Sequence, residues 1–190
     1  MFSDMNKRNN NAVLAVVLIL AIAATRGSHV GSIALLPDAT LAAMLLGGIF
    51  LQRGGWFAAF LTCCVVVDAF AVGVAGVSSY CLSPAYWALL PTYAAMWLGG
   101  RWLTKQGSPF AAIPYAAVSL GATSVAFVIS THSFYLYSGR FPQASLLEVL
   151  RHGWEYYPAY LGYTMMYLGI AWVARRAYFT LVAAGHSHPA

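Results

Sequence analysis

Charged residues are scarce in this chain of 190 residues: Asp, Glu, Lys and Arg make up 8% of it, whereas hydrophobic residues make up 61%. The mean hydropathy is +0.69. A soluble domain of this length does not need so much apolar surface, so the composition predicts an all-α integral membrane protein with a single domain, residues 1–190. The basic residues are scattered among the ends of apolar runs, which gives no patch for nucleic acid.

Several catalytic motifs are missing as well. The sequence contains no GxxxxGK[ST], HExxH, CxxC or GxSxG pattern. The missing P-loop excludes ATP hydrolysis by that route, so any ATP-driven step would need other chains. The chain has three cysteines, an odd number that rules out a fully paired disulfide framework. The residues alone leave an enzymatic role open.

Six apolar runs, separated by charge, glycine or proline, predict six transmembrane helices. The runs lie at about 12–25, 38–52, 55–77, 84–99, 109–130 and 157–174. Several of them are shorter than the roughly 20 residues of a straight spanning helix. The first run follows Lys7-Arg8 and resembles a secretory signal, but we interpret it as the first span.

The basic residues predict an orientation for these spans. With the N-terminus inside, the cytoplasmic segments hold seven of the ten Lys and Arg residues, and the outer connections hold three. The seven are Lys7, Arg8, Arg53, Arg101, Lys105, Arg175 and Arg176, and the three are Arg26, Arg140 and Arg151. By the positive-inside rule, both termini are then cytoplasmic.

This orientation places three connections on the outer side, at 26–37, 78–84 and 131–156. His29 lies in the first of them and Cys81 in the second, so that both can converge on one outward-facing site. A single loop histidine is often only a solvated surface residue, and this alternative stays open for His29.

The three cysteines differ in their surroundings. Cys63 and Cys64 lie inside an apolar run, where a thiol usually packs as a small hydrophobe. Cys81 lies in an uncharged link at a membrane boundary, where an accessible thiol can ionise and ligate a soft metal centre. The alternative is an unreactive boundary cysteine.

Asp68 is the only acid inside a hydrophobic span. An intramembrane carboxylate is costly and usually faces a partner or a polar cavity, so Asp68 is a candidate site residue, with structural pairing to a neighbouring helix as the alternative. Tyr80 precedes Cys81 and Tyr86 follows it by five residues. These tyrosines can anchor the chain at the interface or hydrogen-bond a large ligand.

The connection 131–156 is unusually long and rich in aromatic residues. Within it, Ser145 and Glu148 have the spacing of a helix-starting capping box. A long loop of this kind often acts as a lid. An amphipathic segment resting on the membrane surface is the alternative.

His29, Asp68 and the segment Tyr80-Cys81-Leu82-Ser83-Pro84-Ala85-Tyr86 together carry a resemblance to a known family. Over essentially its whole length, the chain resembles the substrate-binding S-components of energy-coupling-factor (ECF) transporters. More specifically, it resembles the solitary, cobalamin-specific S-components of the BtuM type, which are proteins of the bacterial inner membrane.

The resemblance implies cobalamin uptake through an outward-facing corrinoid pocket. In the family, the cysteine at the position of Cys81 faces the cobalt, so Cys81 is expected to be the axial metal ligand and the reactive residue in any removal of cyanide from cyanocobalamin. His29, Asp68 and Tyr86 match positions that line the pocket, and Tyr80 adjoins the cysteine. Cobalamin is thus the expected bound, cobalt-containing substrate.

The expected partners are membrane lipid and, for an S-component, a transmembrane coupling protein with its ATPases. Many S-components carry an AxxxA pattern in helix 1 that contacts the coupling protein. Helix 1 here contains Ala12, Ala15, Ala21, Ala23 and Ala24, no two of which are four apart. A chain that acts alone is therefore the other expectation.

Two other functions stay open. Cys81 and His29 could ligate iron in a membrane haem or redox protein, although the spans lack the inward histidines of a usual membrane haem pair. Alternatively, the chain could be an S-component for a different vitamin, with Cys81 incidental.

Overall fold

The computed structural model describes residues 2–26, 36–51, 53–76, 82–143 and 145–186. Within these ranges the regular elements are helices, and they contain no strand. The prediction of an all-α protein is thereby confirmed. Three predicted site residues, His29, Tyr80 and Cys81, lie outside the described residues.

Each of the six predicted apolar runs coincides with a helix. The α-helices are α1 (Phe2–Arg26), α2 (Thr40–Phe50), α3 (Gly54–Gly73), α4 (Leu89–Thr104), α5 (Ala112–Tyr137), α6 (Leu146–Arg151) and α7 (Tyr157–His186), with 3₁₀ turns at Pro84–Ala88 and Trp154–Tyr156. Pro84 is favourable at the start of its turn, because the first residue of a helical segment needs no N–H partner.

Among the described residues, three segments are long and apolar enough to cross a membrane, judged by length and composition: Asn9–Arg26, Gly54–Gly73 and Ala112–Tyr137. The segment Gly54–Gly73 has a mean hydropathy of 2.0, yet only 11% of it is buried inside the molecule. Such an exposed apolar surface is stable in lipid rather than in water. The chain is therefore a membrane protein, while the six-span topology and the cytoplasmic termini stay predictions.

Helix α2 is the shortest helix that matches a predicted span. Its 11 residues extend about 16 Å, roughly half the thickness of the hydrocarbon core of a bilayer. Most of them are buried, so α2 is enclosed by other helices rather than by lipid.

Glycines allow α2 and α4 to touch backbone to backbone. A Cβ atom on Gly48 would collide with the carbonyl oxygen of Trp97, and one on Gly100 would collide with that of Leu45. Small residues permit such close contact between helices in membranes. Beside this contact, the Trp97 ring packs edge-on against Phe60, with ring centroids 5.8 Å apart.

The long outer loop predicted at 131–156 is wrong in its first part, because α5 continues to Tyr137. No glycine or proline interrupts the chain between Thr131 and Tyr137, so nothing there ends the helix. The break comes at Gly139, whose φ of 73° lies in the left-handed region that favours glycine.

The predicted capping box at the start of α6 is confirmed. The Ser145 hydroxyl accepts a hydrogen bond from the N–H of Glu148 at 3.3 Å, and the Glu148 carboxylate accepts one from the N–H of Ser145 at 2.7 Å. The bond from the Ser145 N–H holds the pKa of Glu148 below its ordinary value. Together these bonds fix the start of a helix of six residues.

The segment around α6 packs on the C-terminal half of α5. The Trp154 ring lies 5.4 Å from Phe127 and 5.8 Å from His132, measured between ring centroids. Val149 is buried, whereas the neighbouring leucines of α6 are exposed. One side of this short helix thus packs against the bundle, and its exposed leucines suit contact with a membrane surface.

Candidate functional site

A cavity of about 940 Å³ lies at one end of the helix bundle. Its lining comes from the C-terminal parts of α1, α3 and α5 and from the N-terminal parts of α2, α4 and α7. One group of lining residues is polar and is here called the polar floor: Arg26, Asp38, Thr40, Asp68, Tyr86, Thr92 and Tyr93. A second group carries aromatic rings and is here called the aromatic wall: Phe127, Phe134, Tyr135, Phe141, Tyr156, Tyr160 and Tyr163.

The polar floor is built on an ion pair between α1 and α3. The guanidinium of Arg26 donates from Nε to Asp68 Oδ1 at 2.7 Å and from Nη2 to Asp68 Oδ2 at 2.6 Å. This two-bond geometry is the strongest form of an Arg–carboxylate contact. The side chains are only 11% and 20% exposed, so each charge depends on the other in an apolar setting.

Two tyrosines extend the ion pair to α4 and the turn before it. Tyr86 donates its hydroxyl hydrogen to Asp68 Oδ2 at 2.8 Å. On the other side, Arg26 Nη1 donates to the hydroxyl oxygen of Tyr93 at 2.7 Å, and the guanidinium lies 5.8 Å from the centroid of the Tyr93 ring. The tyrosines thereby hold both charges in place.

Asp38 adds a second carboxylate to the polar floor, next to the start of α2. Its Oδ1 accepts hydrogen bonds from the N–H of Thr40, at 2.8 Å, and from the hydroxyl of the same residue. Its Oδ2 lies 3.4 Å from Arg26 Nη1. With both acids ionised, the floor carries two negative charges against one positive charge.

The start of α2 is tied to the neighbouring helices by further hydrogen bonds. The N–H of Ala39 donates to the Thr25 hydroxyl at 3.0 Å, and the Tyr167 hydroxyl donates to the carbonyl of Pro37 at 2.7 Å. Asp38 is therefore held between α1 and α7 by the residues on either side of it in the chain.

The structure brings two of the predicted site residues together. Asp68 and Tyr86 are 18 residues apart in the sequence, yet they are joined by a hydrogen bond and both line the cavity. Leu82, the residue that follows Cys81 in the chain, also lines it. The predictions for His29, Tyr80 and Cys81 fall outside the described residues.

Sequence reasoning missed five of the seven members of the polar floor: Arg26, Asp38, Thr40, Thr92 and Tyr93. It interpreted Arg26 only as an outer-loop charge, whereas the residue ends α1 and pairs with Asp68. Asp68 therefore does pair with a neighbouring helix, and it also lines the cavity, so its role as a site residue stays a prediction. An acid within a span usually faces a partner or a polar cavity, and a search for a cationic partner could have led to Arg26.

The described cysteines lie apart from the cavity lining. Cys64 belongs to the hydrophobic core and is 1% exposed, and Cys63 packs against that core, as predicted for small apolar side chains. In the described ranges, no group of three or more His, Cys, Asp or Glu side chains could hold a metal ion.

A scan against protein-family models and a search of curated proteins returned no match to this chain.

Proposed function

We propose that the chain takes up cobalamin across the bacterial inner membrane and binds the corrinoid in the cavity between the polar floor and the aromatic wall. The observation that carries this proposal is the hydrogen bond of 2.8 Å between Tyr86 and Asp68 in the polar floor of a cavity of about 940 Å³. Both residues match pocket positions of the cobalamin-specific S-components that the sequence resembles.

The size and lining of the cavity support a large ligand with mixed chemistry. Its volume of about 940 Å³ is near the upper end of the usual range for ligand pockets, roughly 300–1,000 Å³. A corrinoid combines a broad apolar ring with amide arms. The aromatic wall suits the ring, and the polar floor suits the arms.

In this proposal, Cys81 supplies the axial ligand to cobalt. The corrin ring gives cobalt four equatorial nitrogens, so a soft thiolate can occupy an axial position and displace the nucleotide base. The cavity lining reaches Leu82, which adjoins Cys81 in the chain. His29 and Tyr80 complete the set of expected pocket residues together with Asp68 and Tyr86.

The distribution of charge supports an outward-facing cavity. The cavity lies at the helix ends that the positive-inside rule assigns to the outer side, and Arg53, Arg101 and Lys105 lie near the opposite ends of the helices. Both termini are then cytoplasmic. Lipid surrounds the bundle, and the chain transports either alone or with energy-coupling-factor subunits.

Absorption spectroscopy with purified protein tests the ligand assignment. Wild-type protein mixed with hydroxocobalamin is expected to give a thiolate–cobalt spectrum, which Cys81→Ala loses. Cys63→Ala is the matched control, because it removes a thiol that packs against the core, and it is expected to behave as the wild type. An unchanged spectrum and affinity in Cys81→Ala would overturn the role of Cys81.

The same experiment with cyanocobalamin tests cyanide removal. The Cys81 thiolate takes one coordination position on cobalt, cyanide leaves as the anion from the other, and the oxidation state of cobalt does not change. Wild-type protein is expected to convert the cyano spectrum over hours, whereas Cys81→Ala leaves it unchanged. A cyano form that persists with wild-type protein contradicts this step.

Two further measurements separate the other two functions. A haem Soret band in the protein as purified would establish the haem alternative. If a strain that needs cobalamin and lacks its own uptake system is not rescued by this chain, the result favours an S-component for a different vitamin.

A further inference from the structure

The two carboxylates of the polar floor differ in how many of their acceptor positions are already used. Asp68 accepts three hydrogen bonds, two from Arg26 and one from Tyr86, at 2.6–2.8 Å. A carboxylate offers roughly four lone-pair positions. Asp68 therefore has little capacity left for a ligand, and its side chain is only 20% exposed.

Asp38 keeps one oxygen accessible. Its Oδ1 is used by the N–H and the hydroxyl of Thr40. Among the described residues, Oδ2 contacts only Arg26 Nη1, at a long 3.4 Å, which is a weak interaction. The Asp38 side chain is 47% exposed and lines the cavity, so Oδ2 can accept further hydrogen bonds from a ligand.

We propose that Asp38 is the ligand-facing carboxylate of the cavity and that it selects for neutral N–H donors, such as the primary amide arms of a corrinoid. Asp68 is instead a positioning residue, which holds Arg26 and the Tyr86 hydroxyl in place. This inference rests on the proposed function and assigns separate tasks to the two acids.

The charge of the polar floor determines that amide arms are favoured over acid arms. Hydrogen bonds from an amide N–H to an ionised acceptor are stronger than neutral ones. A carboxylate on the ligand has no N–H to donate, and it would bring a third negative charge to a floor with a single guanidinium. Asp38 therefore favours the amide form of an arm and rejects the acid form.

Binding of cobalamin is compared with binding of its monocarboxylic derivatives, in which mild acid hydrolysis has converted one propionamide arm into an acid. Each isomer is titrated separately at pH 7. For wild-type protein, we expect at least one isomer to bind about tenfold more weakly than cobalamin, because its acid arm cannot donate a hydrogen bond to the Asp38 carboxylate. In Asp38→Asn this difference is expected to disappear.

Asp38→Asn is expected to remain folded, because the amide oxygen of asparagine can still accept from the Thr40 N–H. Glu155→Gln is the matched control for charge, since Glu155 is an exposed acid near the aromatic wall that does not line the cavity; it is expected to keep the discrimination. Asp68→Asn is expected to weaken binding of cobalamin and of the acid isomer by the same factor, so that their ratio stays as in the wild type.

The outcomes separate this inference from the proposed function. If wild-type protein binds no corrinoid, the proposed function fails and the assignment of Asp38 fails with it. If cobalamin binds but all acid isomers bind equally well, or if Asp38→Asn retains the discrimination, only the assignment of Asp38 is overturned. A change of the ratio in Asp68→Asn contradicts its positioning role.

Discussion

At the scale of single residues, the cost of placing Asp68 in an apolar helix is met by Arg26 at the end of another helix. Their bidentate contact is supported by Tyr86 on the acid and Tyr93 on the base. A charge removed from water needs this degree of hydrogen bonding, because Coulomb attraction alone seldom offsets its desolvation. The two tyrosines are thus part of what keeps the pair stable.

Removing one member of the ion pair should therefore destabilise the protein more than removing both members. Arg26→Met leaves the Asp68 carboxylate without its cation, and we expect a loss of about 3 kcal/mol in the free energy of unfolding. The double variant Arg26→Met/Asp68→Leu leaves no unpaired charge and should recover most of that loss. Thermal unfolding of purified protein in detergent, compared across the single and double variants, measures this coupling.

Lys105→Met is the control for loss of a positive charge. Lys105 is exposed at the other end of the bundle, so its replacement should change the stability by less than about 0.5 kcal/mol. Losses in Arg26→Met and Asp68→Leu that simply add in the double variant would show that the two charges do not depend on each other.

The sequence predicts the acid of the ion pair, Asp68, better than it predicts the cation that pairs with it, Arg26. Asp68 stands out because an acid is rare within an apolar run, and Tyr86 because it lies five residues after Cys81. Arg26 and Asp38 lie next to the ends of their runs, where charges are ordinary. Their role depends on which helix ends meet in space, and hydropathy contains no information on that.

At the scale of the helices, the contact between α2 and α4 depends on the absence of side chains. Gly48 and Gly100 bring the two backbones together. The helices therefore make direct van der Waals contact through their backbones and not through interdigitating large side chains. This contact fixes the position of α4, whose N-terminal part supplies Tyr93 to the cavity.

A single methyl group should therefore separate α2 from α4. In Gly100→Ala, the new Cβ would collide with the carbonyl oxygen of Leu45, and we expect a loss of at least about 1–3 kcal/mol in the free energy of unfolding, as for other overpacked sites. Thermal unfolding in detergent measures it.

Gly121→Ala is the matched control, because it makes the same change within α5, where no atom lies within 4 Å of the new Cβ. It should be neutral or slightly stabilising, since alanine favours a helix over glycine. Equal effects of the two substitutions would contradict the importance of the α2–α4 contact.

The sequence predicts the existence of the helices but not all of their ends. Apolar runs locate each long helix because hydropathy reports burial in lipid or protein. Hydropathy predicts an end of α5 that is too early, because polar residues such as Thr131 and His132 lower the hydropathy without breaking the helix. His132 is in fact buried, with its ring nitrogen Nδ1 2.9 Å from the carbonyl of Val128.

At the scale of the whole molecule, the two ends of the bundle differ in character. One end holds the cavity with its paired charges. Arg53, Arg101 and Lys105 lie near the other end. From the positive-inside rule, we predict that the cavity faces the outer side of the membrane.

Labelling of introduced cysteines tests that direction. In a background in which the three native cysteines are replaced by alanine, Glu155→Cys lies at the cavity end and Lys105→Cys at the other. A membrane-impermeant maleimide should label the first in intact cells and the second only after permeabilisation. The reverse pattern would place the cavity on the cytoplasmic side and contradict an uptake role.

The shortness of α2 has a consequence for the size of ligand that the protein can hold. Helix α2 begins at Thr40 and reaches only about half the thickness of the hydrocarbon core, and its first turn borders the cavity through Thr40 and Leu41. The start of a helix, and not only the volume of side chains, is therefore one boundary of the cavity. Point substitutions adjust the fit of a ligand, whereas added helical turns before Thr40 would remove the space for it.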